Sequence, residues 1–185
     1  GKMVEPVSST KNPYSKMEMG VPYTHTPKFL QFDYRLVAPA GAPIYSSGFG
    51  SKKKLSGRDN AEVFVLLQRR WEDAKGNIHA ERVGTGRERF GKTTMGWVNK
   101  HRIPIWYGDI RHHAGYKSFM GLIPKEKSYY ARNSKGKMKP VIEEKWAPVG
   151  TKPTHVLVML SSGCGTAYTG TVGMTLWVDN VAFVH

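Results

Sequence analysis

The chain has one cysteine, Cys164, so neither an intrachain disulfide nor a multi-cysteine metal site can form. Cys164 lies between Gly163 and Gly165, and spacing nominates no histidine to activate it, which leaves a small loop or core residue. Acidic residues are scarce: 14 Asp and Glu stand against 28 Lys and Arg, for a formal charge of +14. No apolar run approaches the roughly 18 residues that a membrane helix needs. No signal peptide is visible, and the opening Gly1-Lys2-Met3 reads as an expression scar or a start inside a longer protein. No long stretch keeps a helical period, and there is no internal repeat.

What is present points to strands. The 20 glycines and 11 prolines imply many turns, and strand formers cluster in short runs between them. Residues 1–27 hold Pro6, Pro13, Pro22 and Pro27 and read as an irregular lead-in to a single domain over 28–185. Leu30, Phe32, Tyr34 and Leu36 alternate with Gln31, Asp33 and Arg35, as a half-buried strand requires. Residues 46–60 read as a long loop. Ala61 to Gln68 is a continuous apolar run that predicts a strand covered on both faces. Asp73 to Asn77 makes a turn, and Ile78 to Thr85 returns as a hairpin partner. Ile103 to Tyr107 is a short strand that Pro104 places at an edge or a bulge.

Arg111 to Pro153 is basic, aromatic and weakly patterned, and reads as a long loop with a short helix near Val141 to Lys145. Two strands close the chain, His155 to Ser162 and Thr175 to Val184, and Val158 and Val181 are expected in the core. Short strands, irregular loops and no helical crossovers predict an all-β fold: an antiparallel jelly-roll β-sandwich with long loops.

The basic residues gather in knots at Lys52-Lys53-Lys54, Arg69-Arg70 and Lys135 to Lys139. No RNA- or DNA-binding signature accompanies them, so no nucleic acid is expected as a partner. The remaining readings are solubility and affinity for an acidic ligand.

The C-terminal third carries a resemblance. Pro153 to Ser162 is followed by Tyr168-Thr169-Gly170 and then by Gly173-Met174-Thr175-Leu176-Trp177-Val178-Asp179-Asn180-Val181. This resembles the end of the putative carbohydrate metabolism domain (PCMD). Pro27 to Tyr34, Asp59 to Leu67 and Ile103-Pro104-Ile105 resemble its earlier strands in order, so the likeness runs from Pro27 to Val184. It implies a jelly-roll sandwich, a glycan ligand, and export to the periplasm or outer surface of a Gram-negative bacterium as part of a lipoprotein. Membrane attachment would then come only through a lipid anchor outside this chain. Against that family, strand-like sequence ahead of Pro27 is short, the 111–153 segment is long and basic, and Cys164 replaces a small polar residue.

Sugars present apolar C–H faces and rings of hydroxyls, so their sites combine aromatic platforms with planar polar groups. Trp97 in a Gly-bounded polar stretch, Trp146 in the basic segment, and Trp106 with Tyr107 on the short strand are the aromatic candidates. Arg102, Asp109 and His112 are the polar ones. Trp177 divides evenly between core and ligand. No cofactor is expected beyond a structural Ca²⁺, for which Asp179 on the terminal strand is the candidate ligand. The reading is a non-catalytic carbohydrate-binding domain, its glycan acidic or mixed on the strength of the net charge.

The alternative is a glycan-degrading enzyme, a glycoside hydrolase or polysaccharide lyase of β-jelly-roll fold. A hydrolase needs two carboxylates about 5 to 10 Å apart. Asp59, Glu62, Glu81, Glu88 and Asp109 are available, with Glu62 beside apolar neighbours the one to watch. A lyase would draw on His101, Arg102 and Tyr107.

Overall fold

Strands, some with alternating burial such as β4 and others covered continuously, organise the chain into an all-β sandwich fold in the computed structural model, which describes residues 2–3, 12–47 and 51–185. Residues 1, 4–11 and 48–50, which belong to the lead-in and to the 46–60 segment, lie outside the described residues. Among the described residues, the strands are β1 (Lys2–Met3), β2 (Met17–Glu18), β3 (Val21–Pro22), β4 (Phe29–Val37), β5 (Ile44–Ser46), β6 (Lys53–Leu55), β7 (Ala61–Glu72) and β8 (Ile78–Phe90). They continue with β9 (Val98–Pro104), β10 (Trp106–Tyr107), β11 (Tyr130–Arg132), β12 (Met138–Trp146), β13 (His155–Ser161), β14 (Thr169–Thr171) and β15 (Thr175–Val184).

One sheet runs in the order β1-β2-β11-β12-β8-β7-β13-β3, with β10 paired to β8. Two three-stranded sheets run β14-β5-β6 and β15-β4-β9. Most pairs are antiparallel, but β12 runs parallel to β8 and β11 parallel to β2. The chain divides into two compact units. The first holds residues 1–26, 65–86 and 105–158, and the second holds 27–64, 87–104 and 159–185. β2 and β3, which come from the lead-in ahead of residue 27, belong to the first unit.

In the first unit, Ile78, Ala80, Ala131 and Val141 form an apolar cluster, joined in the core by Leu66, Leu67, Ile105, Val156 and Leu157. The expected helix at 141–145 is strand β12. Val141 and Glu143 point inward while Ile142 and Glu144 are less covered, a period of two that a helix cannot satisfy. The 111–153 segment is correspondingly a shorter loop followed by β11 and β12.

In the second unit, β4 buries Leu30, Phe32, Tyr34 and Leu36 as its alternation predicts. Phe32 and Tyr34 meet Phe90 and His101 in an aromatic cluster with ring centres 4.9 to 6.3 Å apart. Asp33 on the opposite face accepts the Lys100 backbone N–H at 2.5 Å and Asn180 Nδ2–H at 2.7 Å. Both partners stand at left-handed φ where β9 and β15 shift register, so one carboxylate stabilises two bulges. β15 lies at the edge of its sheet, and Val181 is 46% exposed and Val158 only half-buried. The core expected at Val181 is not there, because the edge strand has β4 on one side alone; Val158 stands on β13 in the first unit, between β7 and β3. Asp59, one of the acid candidates, accepts the Cys164 and Asn60 backbone N–H groups and the Thr171 hydroxyl, tying the Gly-rich loop down.

Candidate functional site

Arg69 and Trp71 are two apart on β7 and therefore share a face, as do His79 and Glu81 on β8. The register of β12 against β8 slips between Glu143 and Lys145, which inserts one extra residue. The slip leaves Glu143 inward and turns both Glu144 and Lys145 to solvent, over His79 and Glu81. A shallow depression of about 480 Å³ opens here, lined by Arg69, Arg70, Trp71, Glu81 and Thr154, all in the first unit.

Trp71 is its aromatic floor. The indole stacks on the His79 imidazole, centres 5.6 Å apart and planes 17° apart, and 40% of Trp71 stays exposed. His79 Nδ1 lies 2.6 Å from Glu144 Oε1 and Nε2 lies 3.2 Å from Asp73 Oδ2. The hydrogen bond to Asp73 raises the His79 pKa above its ordinary 6.5, and Glu144 adds to it against a smaller burial effect. Asp73 is held far below the usual carboxylate range, first by the Asn77 N–H. It also accepts from Lys75, so the β7–β8 turn fixes the acid that fixes the histidine. Gly76 closes that turn at φ +79° with Asn133 2.8 Å from where a Cβ would sit, a place only glycine fills without strain.

Glu81 is the polar centre. Its side chain is 5% exposed, and it receives Arg69 at 2.5 Å and Lys145 at 3.2 Å. Burial pushes its pKa up, but the hydrogen bonds and charges of Lys145 and Arg69 prevail and hold it below the usual carboxylate range. The inner side of the same strands carries a second, enclosed network. Arg82 Nε donates to Glu143 Oε1 at 2.6 Å and its Nη2 to Oε2, while Gln68 Nε2 and the Ile123 N–H complete the carboxylate. Burial works against the Glu143 charge, yet Arg82 and these donors keep its pKa low. Arg70 bonds Gln68 and the Met19 carbonyl, and burial lowers its own pKa to about 10.

The sequence-nominated residues fall in both units. Trp106 stacks on His113 at 3.8 Å, and Gly115 lies against its ring edge, so the 108–117 loop packs against it and leaves it half-buried. Tyr107 packs over Gly84, and burial raises its hydroxyl pKa. Asp109 is held at about 2, first by the Arg111 side chain, with His112 nearby adding a smaller effect. Trp146 is half-buried, with the Arg82 guanidinium 5.6 Å from its ring centre. These five belong to the first unit. Trp97, Arg102 and Asp179 belong to the second. Trp97 is exposed, Arg102 donates to Gln31 at 2.8 Å, and Asp179 accepts the Asn180 N–H at 2.7 Å. Among the described residues no group of three or more His, Cys, Asp or Glu could hold a metal ion, around Asp179 or elsewhere.

Trp71 and Glu81 were not nominated as ligand contacts. The available signal was the spacing of Arg69 and Trp71 on one polar strand face. Glu62, the carboxylate marked as a possible acid, is clamped by Arg87 at 2.9 and 3.1 Å and by Arg89 at 2.7 Å. Glu88 meets His101 at 2.9 Å.

No family model and no curated protein matches the chain. Among solved structures it is similar to one from Bacteroides thetaiotaomicron described as a putative glycoside hydrolase, with a TM-score of 0.55 and 20% identity. The match covers 95% of this chain and 42% of that one, so the chain spans less than half of that protein's length. At this identity the likeness is one of fold.

Proposed function

We propose that the chain is a non-catalytic glycan-binding domain, and that the Trp71 depression is where the glycan sits. The observation that carries the reading is the partly open Trp71 indole, braced from one side by His79 and bordered by Arg69, Glu81 and Lys145. A sugar ring can lay its C–H face on the indole while its hydroxyls reach a guanidinium, a carboxylate and an ammonium whose positions are already fixed. The fold likeness to a protein described as a glycoside hydrolase supports a carbohydrate role. The resemblance to PCMD sequences supports the same role, and with it an exported place in the periplasm or at the cell surface.

Binding without cleavage is supported by the ionisation of the acids. A glycosidase needs one carboxyl kept protonated by its surroundings. Among the described residues, Asp33, Glu72, Asp73, Glu81, Asp109 and Glu143 are the carboxyls with clearly displaced pKa values, and each is displaced downward. A lyase would use a tyrosine that ionises easily, whereas Tyr23, Tyr34 and Tyr107 are all displaced upward. The test is affinity electrophoresis in gels cast with single polysaccharides. The wild type is expected to be retarded by at least one of them, and Trp71→Ala to lose at least tenfold in affinity, about 1.4 kcal/mol, with an unchanged circular dichroism spectrum. Full retention of Trp71→Ala would remove the depression from the account.

A further inference from the structure

We infer that the glycan taken by the Trp71 depression is uncharged, and that Glu81 is the residue that keeps acidic glycans out. The inference rests on the glycan-binding reading and goes beyond it by naming the ligand class. The chain's net charge of +14 suggests the opposite, but the charge at this site is arranged differently from the charge of the whole.

The cations on the Trp71 face of the strands, Arg69, Lys145 and His79, each face a carboxylate. Arg69 and Lys145 converge on Glu81 from β7 and β12, at 2.5 and 3.2 Å. His79 lies between Asp73 and Glu144. On the inner face Arg82 is paired with Glu143, and Arg70 donates to Gln68 and the Met19 carbonyl. Glu81 lines the depression, and its side chain is 5% exposed, so it cannot swing into solvent to make room for another anion. A ligand carboxylate or sulfate placed between Arg69 and Lys145 would therefore meet a fixed like charge at short range, in surroundings that screen it less than bulk water. It would also have to break ion pairs already made. A hydroxyl carries no such penalty. It accepts from an N–H of Arg69 or Lys145 that Glu81 leaves unused and donates to a carboxylate lone pair. Arg69 and Lys145 side chains are 49% and 67% exposed, so those donors are within reach. Trp71 supplies an uncharged face beside them.

The same arrangement makes Glu81 a switch of selectivity. Replacing it with the isosteric amide keeps the shape and removes the anion, which releases two cations beside an aromatic platform. That is the composition of a site for uronic acids or sulfated sugars.

The experiment compares wild type, Glu81→Gln, Lys145→Ala and Trp71→Ala in affinity electrophoresis. The neutral probes are galactomannan, xyloglucan and mixed-linkage β-glucan, and the acidic probes are alginate, polygalacturonate and heparin. Each is run at 50 and 500 mM NaCl. The wild type is expected to be retarded by a neutral polysaccharide, with less than a twofold change between the two salt concentrations. Glu81→Gln is expected to gain at least tenfold affinity for an acidic one at low salt. Trp71→Ala should lose the neutral binding. Lys145→Ala, which keeps Glu81 and loses only an exposed cation, should not gain acidic binding. Wild-type binding to acidic probes that weakens with salt and vanishes in Trp71→Ala would overturn the neutral-ligand inference and leave the glycan-binding reading standing. So would Glu81→Gln behaving as wild type toward acidic probes while neutral binding is intact. If Glu81→Gln does not fold, the wild-type preference and its salt response decide the matter alone. No retardation by any probe would overturn both.

Discussion

At the scale of the residue, the account turns on side chains whose partners fix both their position and their charge. His79 is the clearest case. Asp73 and Glu144 stabilise its protonated form, so its folded pKa is raised. The stability this contributes is complete below the unfolded value of about 6.5. It is lost as the pH rises through the higher folded value. An NMR titration of the His79 ring should give a midpoint above that of a free histidine, and Asp73→Asn should bring it down. Trp71 fluorescence is expected to rise over the same interval, because the stacked imidazolium quenches the indole more than the neutral ring does. A midpoint at or below the ordinary histidine value would show that the bridge to Asp73 is not formed. Trp71 is hard to single out in the sequence because its neighbours Arg69, Arg70, Glu72 and Asp73 look like a solvated strand end. Trp97 and Trp146 stand out because loop-like flanks argue against core. Trp106 is half-buried against its own loop, a contact between residues 106, 113 and 115 that spacing alone does not show.

At the scale of the element, local alternation was the reliable guide. β4 buries the four residues its pattern marks, β7 is covered over Ala61–Gln68 as its apolar run demands, and the Asp73–Asn77 turn returns the chain into β8. The misreading at 141–145 has a physical cause. Val141-Ile142-Glu143-Glu144-Lys145 mixes two apolar residues with an inward glutamate, and that glutamate is intelligible only beside Arg82, far away in sequence. Edge position was equally illegible. Thr175 to Val184 looks like a core strand, but pairing on one side leaves Val181 exposed. These positions predict opposite outcomes for the same change. Val141→Asp buries an uncompensated charge in the Ile78–Ala80–Ala131 cluster and should unfold the first unit, a loss of several kcal/mol. Val181→Asp should shift stability by no more than about 0.5 kcal/mol, as exposed substitutions do. Thermal unfolding of the two variants checks the pair, and a comparable loss in both would place β15 in the core after all.

At the scale of the whole molecule, net charge and site charge part company. The excess of Lys and Arg is legible from composition, but composition cannot show that Arg69 and Lys145 share Glu81 and that His79 lies between Asp73 and Glu144. The all-β class and the order of the main strands were legible, because each rests on patterns within ten residues. The depression was not, because it is assembled from β7, β8 and a bulge in β12 that lie more than seventy residues apart at their extremes. The account stands or falls on binding without chemistry. The direct measurement incubates the purified protein for a day with each polysaccharide that retards it, and follows new reducing ends and the absorbance of unsaturated uronides. The account predicts retention with the polymer unchanged, by both readouts and by chain length. Accumulation of either product, abolished by Glu81→Gln or by a change at another carboxylate, would contradict it and make the chain an enzyme.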